Sequence, residues 1–164
     1  MVRVIGIGAE DRGDDAAGLL VARGVRAAAP PGVEIVESPG DAGDLLTLLD
    51  GVERVVLVDA ARGGGMPGAV ELVPAGSAPR SSSRSTHGLG VAVALELAAA
   101  LRMLPACVRL YVVHGAWFDT GPVSPPVAAA IGVAARRILR DELGQAVRAP
   151  GGGTRAAPTR TGRR

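Results

Sequence analysis

The chain has 164 residues, 48% of them hydrophobic but only 2% aromatic, which allows one domain cored by Val, Leu, Ile and Ala and excludes two ordinary ones. Its net charge of +2 conceals two unlike parts: all eighteen basic residues are Arg, five of them follow Val147, and the remaining thirteen face sixteen acids. A body with more acids than arginines disfavours nucleic-acid binding, and the lone Cys107 excludes an intrachain disulfide and an all-thiolate zinc site.

From the N-terminus, Val2 to Gly8 is a β-branched run ending in glycines, read as a strand, and Asp14 to Ala29 reads as a helix stopped by Pro30 and Pro31. A second strand is predicted over Val33 to Glu37, an amphipathic helix over Asp41 to Asp50, and a third strand over Arg54 to Asp59. The VVLVD run is apolar up to its last residue, as a strand covered on both faces should be. After the turn-rich ARGGGMPG, the segment AVELV alternates like a half-buried edge strand, and PAGSAPRSSSRS reads as a loop. Ser85 sits where an N-cap belongs, ahead of a long Ala and Leu helix ending near Pro105. Val108 to Val113 is a buried strand, GAWFDTGPVSPP a long loop, and Val127 to Leu143 the last helix.

Strands and helices alternating at this spacing predict a three-layer helix/sheet/helix sandwich with a largely parallel five-stranded sheet, a single α/β domain over residues 1–147. Residues 148–164 are a Gly, Pro and Arg-rich tail too poor in apolar side chains to order itself. No apolar run reaches membrane-spanning length, since Glu96 interrupts the longest, and VRVIGIG begins without the apolar segment and cleavage site of a secretory signal. A cytoplasmic protein with no membrane partner is expected.

In a parallel sheet, ligands bind at the carboxyl ends of the strands. Three ligand-type side chains fit that edge: Asp15 one loop after the first strand, Asp59 at the end of the third, and His87 at the start of the long helix. Two carboxylates and one imidazole form a mixed, fairly hard site with open coordination positions, suited to zinc, nickel or iron without choosing among them. Singly, each residue has a plainer reading, Asp15 as an acid favoured by a helix N-terminus with Asp14 as the cap, and Asp59 as a carboxylate closing a turn.

Other chemistries fit less well. In GIGAEDRGDD a dinucleotide fingerprint would place its third glycine at Asp11, and Glu10, Asp11, Asp14 and Asp15 would set four negative charges against a pyrophosphate. The serines at 81–83 and 85 have no GxSxG elbow, and Cys107 opens a buried strand, where a thiol is packed and inert. His114 ends the last strand and points toward the same edge, either as a proton-transfer group or as a hydrogen-bonded loop-entry histidine.

With these residues in hand, the chain resembles the maturation endopeptidases of nickel-iron hydrogenases over about residues 2–143. Four segments are similar in the same order: GIG followed by GDDAAG, VDAARGGGMPG, STHGLG and VSPPVAAAI. The resemblance implies an α/β sandwich in which Asp15, Asp59 and His87 contact metal, and a monomeric peptidase that removes the C-terminal extension of the hydrogenase large-subunit precursor after nickel insertion. It further implies nickel delivered by the substrate, held by the precursor's own cysteines, rather than a resident zinc ion. The chain departs from the family where Asn and apolar residues usually follow GxG, having Ala9, Glu10, Asp11 and Arg12 there. Two other readings remain open at this point: a zinc hydrolase of another class, and a non-catalytic hydrogenase-assembly binding protein.

Overall fold

The computed structural model describes residues 1–74 and 86–144, the side chains of residues 86–89 excepted. The expected Ser85 cap and the tail lie outside the described residues. Five strands, β1 (Val2–Ile7), β2 (Val33–Ser38), β3 (Arg54–Arg62), β4 (Val70–Val73) and β5 (Cys107–Gly115), form one sheet in the order β2-β1-β3-β5-β4. All neighbours are parallel except β4, which pairs antiparallel with β5 at the edge, so the expected largely parallel sandwich is what the chain adopts.

Helices cover both faces, because alternate residues of the strands are apolar on both sides. On one face α1 (Ala17–Arg26) and α4 (Pro125–Ile138) close over Val4, Val56, Val58, Tyr111 and Val113. On the other, α2 (Ala42–Leu49) and α3 (Thr86–Ala100) close over Ile5, Ile7, Leu57, Leu110 and Val112. No helix among the described residues is long and apolar enough to cross a membrane.

The helix ends explain themselves locally. Asp41 caps α2, its Oδ1 accepting the N–H groups of Gly43 at 2.9 Å and Asp44 at 3.3 Å. Pro125 and Pro126 occupy the first turn of α4, where a missing N–H costs nothing. The first helix differs from expectation: a 3-10 turn over Gly13–Ala16 precedes α1, which ends at Arg26 rather than Ala29. Asp14 is not a cap there, because its side chain is committed elsewhere.

Gly18, at the start of α1, sits directly on the strands; a Cβ there would come within 2.2 Å of the Ile7 carbonyl oxygen and 2.4 Å of that of Val58. Backbone cannot give way as a side-chain tip can. Gly18→Ala is therefore expected to destabilise the protein by about 3 kcal/mol, read as a lowered urea midpoint; an unchanged midpoint would contradict this packing.

Candidate active site

The chain runs from β1 outward to β2 and then back across β1 to β3, so the connections leaving β1 and β2 lie on opposite faces of the sheet. Such a reversal opens a crevice at the carboxyl ends of the two central strands, here β1 and β3. The β1–β3 register ends at Gly6 beside Val58, so the next step along β3 reaches Asp59 just where β1 leaves the sheet.

Asp59 does not end its strand. β5 continues to pair with β3 from Asp59 opposite Val112 to Arg62 opposite Gly115, which keeps β3 extended three residues further than expected. The Asp59 carboxylate is only 5% exposed, and its Oδ1 accepts the N–H of Ala60 at 2.8 Å. By strand alternation it shares a sheet face with Leu57 and Val112, the face on which α3 packs.

Asp15 belongs to the 3-10 turn and is 4% exposed. Its backbone abuts the end of β1: a Cβ on Gly8 would fall 1.9 Å from the Asp15 carbonyl oxygen, and Gly8 has a φ of +147°. Only glycine permits that approach and that dihedral together. Asp15, just past the end of β1, and Asp59, beside that end on β3, thus both lie toward the carboxyl edge of the sheet, and each is engaged with a partner.

His87 lies in the first turn of α3. A Cβ on Gly90 would come 2.0 Å from the Gly40 carbonyl oxygen, so this end of α3 rests on the loop leaving β2, at the carboxyl edge of the sheet. The His87 side chain itself is outside the described residues. Among those described, no three His, Cys, Asp or Glu side chains form a cluster able to hold a metal ion.

The residue that organises the site is Asp14, which the sequence marked only as a possible cap. It is fully buried. Its Oδ2 accepts the N–H groups of Ala116 at 2.8 Å and Trp117 at 2.9 Å and the Ser124 hydroxyl at 2.9 Å, while Oδ1 accepts the Ser124 N–H at 2.6 Å. Its own N–H donates to the Trp117 carbonyl at 2.6 Å. Burial by itself pushes the carboxyl up, but the N–H donors of Trp117, Ser124 and Ala116 together outweigh it and hold the group below the ordinary carboxylate range. The 3-10 turn bearing Asp15 is thereby pinned to the β5–α4 loop. Nothing local in GDD tells which aspartate turns inward; the partners lie about a hundred residues away.

The loop over Ala9 to Arg12 is as firmly held. The Gly13 N–H donates to the Gly121 carbonyl at 3.0 Å and the Gly121 N–H to that of Asp11 at 3.3 Å. Glu10 pairs with Arg23 of α1, and Arg23 also pairs with Glu37 of β2 at 2.7 Å. Arg23, with Arg26, holds the Glu37 carboxyl below its usual range against the opposing effect of burial. The charged loop thus contacts α1 directly through Glu10, reaches β2 through Arg23, and joins the β5–α4 loop through the Asp11 carbonyl.

His114 is a loop-entry histidine. Its Nδ1 lies 3.0 Å from the Gly63 carbonyl oxygen and its Nε2 3.0 Å from Glu71 Oε2, so both ring nitrogens face acceptors, one on the loop leaving β3 and one on β4. Gly65 packs on the ring so closely that a Cβ would come within 2.7 Å. Cys107, the first residue of β5, is partly buried.

The HycI hydrogenase maturation protease family model matches residues 21–141, a span that contains Asp59 and His87 and begins after Asp15. The fold is similar to the hydrogenase maturating endopeptidase HybD from E. coli, at 21% identity, covering 85% of this chain and 90% of that one, with a TM-score of 0.74. It is likewise similar to the NiFe hydrogenase maturation protease HybD from Thermococcus kodakarensis, at 25% identity, 85% and 97% coverage and a TM-score of 0.71. The maturation protease HycI from Thermococcus kodakarensis KOD1 matches at 25% identity, 85% and 90% coverage and a TM-score of 0.65. No curated protein sequence matches the chain. With a family match across most of its length and the same fold in these proteases, the chain belongs to the hydrogenase maturation protease family.

Proposed function

We propose that this chain is the endopeptidase that cuts the C-terminal extension from a nickel-iron hydrogenase large-subunit precursor, recognising the nickel that the precursor already carries. What supports the reading is that two buried aspartates, Asp15 and Asp59, both lie toward the carboxyl edge of the sheet near the end of β1, the edge where α3 begins. Nickel bound to the precursor's cysteines would complete its coordination with Asp15, Asp59 and His87. Imidazole and carboxylate donors suit a nickel ion that has open positions. Only a loaded precursor then presents its scissile bond to the site, which ties cutting to completed metal insertion.

Carboxylate acceptors fixed beside a peptide bond also suit hydrolysis, in which an attacking water must give up a proton. The charged loop over Ala9 to Arg12, joined to Gly121 through the Asp11 carbonyl and to α1 through Glu10, fits a working member of the family with its own precursor preference.

The test is incubation of the purified chain with nickel-loaded and nickel-free precursor, followed by mass spectrometry of the large subunit. Trimming is expected of the loaded form alone. Equal trimming of both forms by a protein that carries one tightly bound zinc ion per chain would replace this reading with that of a zinc hydrolase.

A further inference from the structure

Trp117 is the chain's one tryptophan, and it is 49% exposed, whereas the other two aromatic rings, Tyr111 and Phe118, are buried. It is also immobilised. The Trp117 N–H and carbonyl are both bonded to Asp14, and the indole lies over Gly13, where a Cβ would come within 2.6 Å of Cδ1. On the other side Phe118 anchors the loop, packed against Gly115 and covered by the Arg62 guanidinium 4.9 Å above its ring. The indole therefore has one side fixed against the 3-10 turn and another left to water. A free loop would fold such a ring away, since exposed apolar surface costs about 25 cal/mol per Å2.

Its surroundings are those of a binding anchor. Asp11, Arg12 and Asp119, all exposed, stand on the segments joined to it, giving an aromatic centre with a polar rim. Gly13 under the ring and Asp15 belong to the same four-residue 3-10 turn, so the ring rests on the turn that carries Asp15. A second copy of the chain is a poor occupant, because a half-exposed indole offers roughly 100 Å2 and a stable interface needs about 800 Å2 from each partner. A peptide segment already tethered nearby needs only one such anchor.

We propose that Trp117 is a substrate-docking residue, its indole forming a fixed platform for an apolar side chain of the extended precursor segment that flanks the cleavage site, with Asp14 as the positioning residue. This rests on the processing reading above. Pre-organisation explains why Asp14 holds both the N–H and the carbonyl of this one residue: a ring ordered in advance loses less entropy when peptide binds.

The test uses the full chain and a nickel-loaded large-subunit precursor. Trp117→Ala is expected to raise KM about tenfold or more with a much smaller change in kcat, the mark of lost binding rather than lost chemistry. Trp117→Phe should recover most of that loss. Labelling with 5-fluorotryptophan gives one 19F resonance from this chain and none from the precursor, and that line should shift or broaden while loaded precursor is in excess. A KM for Trp117→Ala within twofold of wild type, or an unmoved line during active trimming, overturns the inference and leaves the processing reading standing. A line that moves without any trimming supports docking and sinks the processing reading, and a chain that neither trims nor responds overturns both. Should Trp117→Ala not fold, the phenylalanine variant and the 19F line decide.

Discussion

Asp59→Asn, Asp15→Asn and His87→Ala are each expected to lower the rate of precursor trimming by about a hundredfold or more while the protein still unfolds in one cooperative transition. Replacing even an outer partner of a metal ligand typically costs about 10–100-fold, and these three are the groups proposed to touch the metal. The amide of Asn has nearly the shape of the carboxylate, so the Asp59 variant still accepts the Ala60 N–H with its side-chain oxygen. What it lacks is the charge that binds a cation. His87 stands in the first turn of α3, and Ala is a better helix former than His, so the backbone there has no reason to change. Gel mobility of the large subunit reports trimming and circular dichroism reports folding. Trimming within twofold of wild type in any of the three would remove that residue from the site.

Asp14 behaves in the opposite way, with an effect first on stability. In Asp14→Ala, the N–H groups of Ala116, Trp117 and Ser124 and the Ser124 hydroxyl lose their acceptor together. A buried donor left unmet costs about 1–3 kcal/mol; since water can enter and the loop can relax, a total of about 3–5 kcal/mol is expected. That is a large share of the roughly 5–15 kcal/mol that holds a domain folded. Asp14→Asn is milder: if its NH2 replaces Oδ1, only the Ser124 N–H faces a donor, and three of the four contacts survive.

The effect also depends on pH in a definite direction. The folded-state carboxyl lies below the ordinary value of 3.8, so its contribution is complete at neutral pH and is lost as the pH falls through 3.8 toward the depressed folded value. The stability gap between wild type and Asp14→Asn should therefore narrow on acidification, as measured by urea unfolding at pH 7 and near pH 3. A gap that widened in acid would mean that the carboxylate is not stabilised by these donors.

How far the sequence could be read depended on the range of the interactions. The five strands were legible because each apolar run is bounded by its own glycines, prolines or charges, and α2 because Asp41 caps it from within. β3 ran past Asp59 because the pairing of Asp59 through Arg62 is made by β5, some fifty residues on. The 3-10 turn and the late start of α1 arise from Asp14 bonding to residues 116–124, a contact that neighbouring residues do not signal.

By itself, then, the sequence determined the alternation of strands and helices, the largely parallel sheet and the likeness to hydrogenase maturation proteases, since periodicity and motif order are local and collinear properties. Tertiary structure decided which of two adjacent aspartates turns inward to four donors. It also decided that the charged loop beside them is tied into the fold, and that the one tryptophan is held outward against the 3-10 turn. Those outcomes depend on contacts between segments that only the closed sheet brings together.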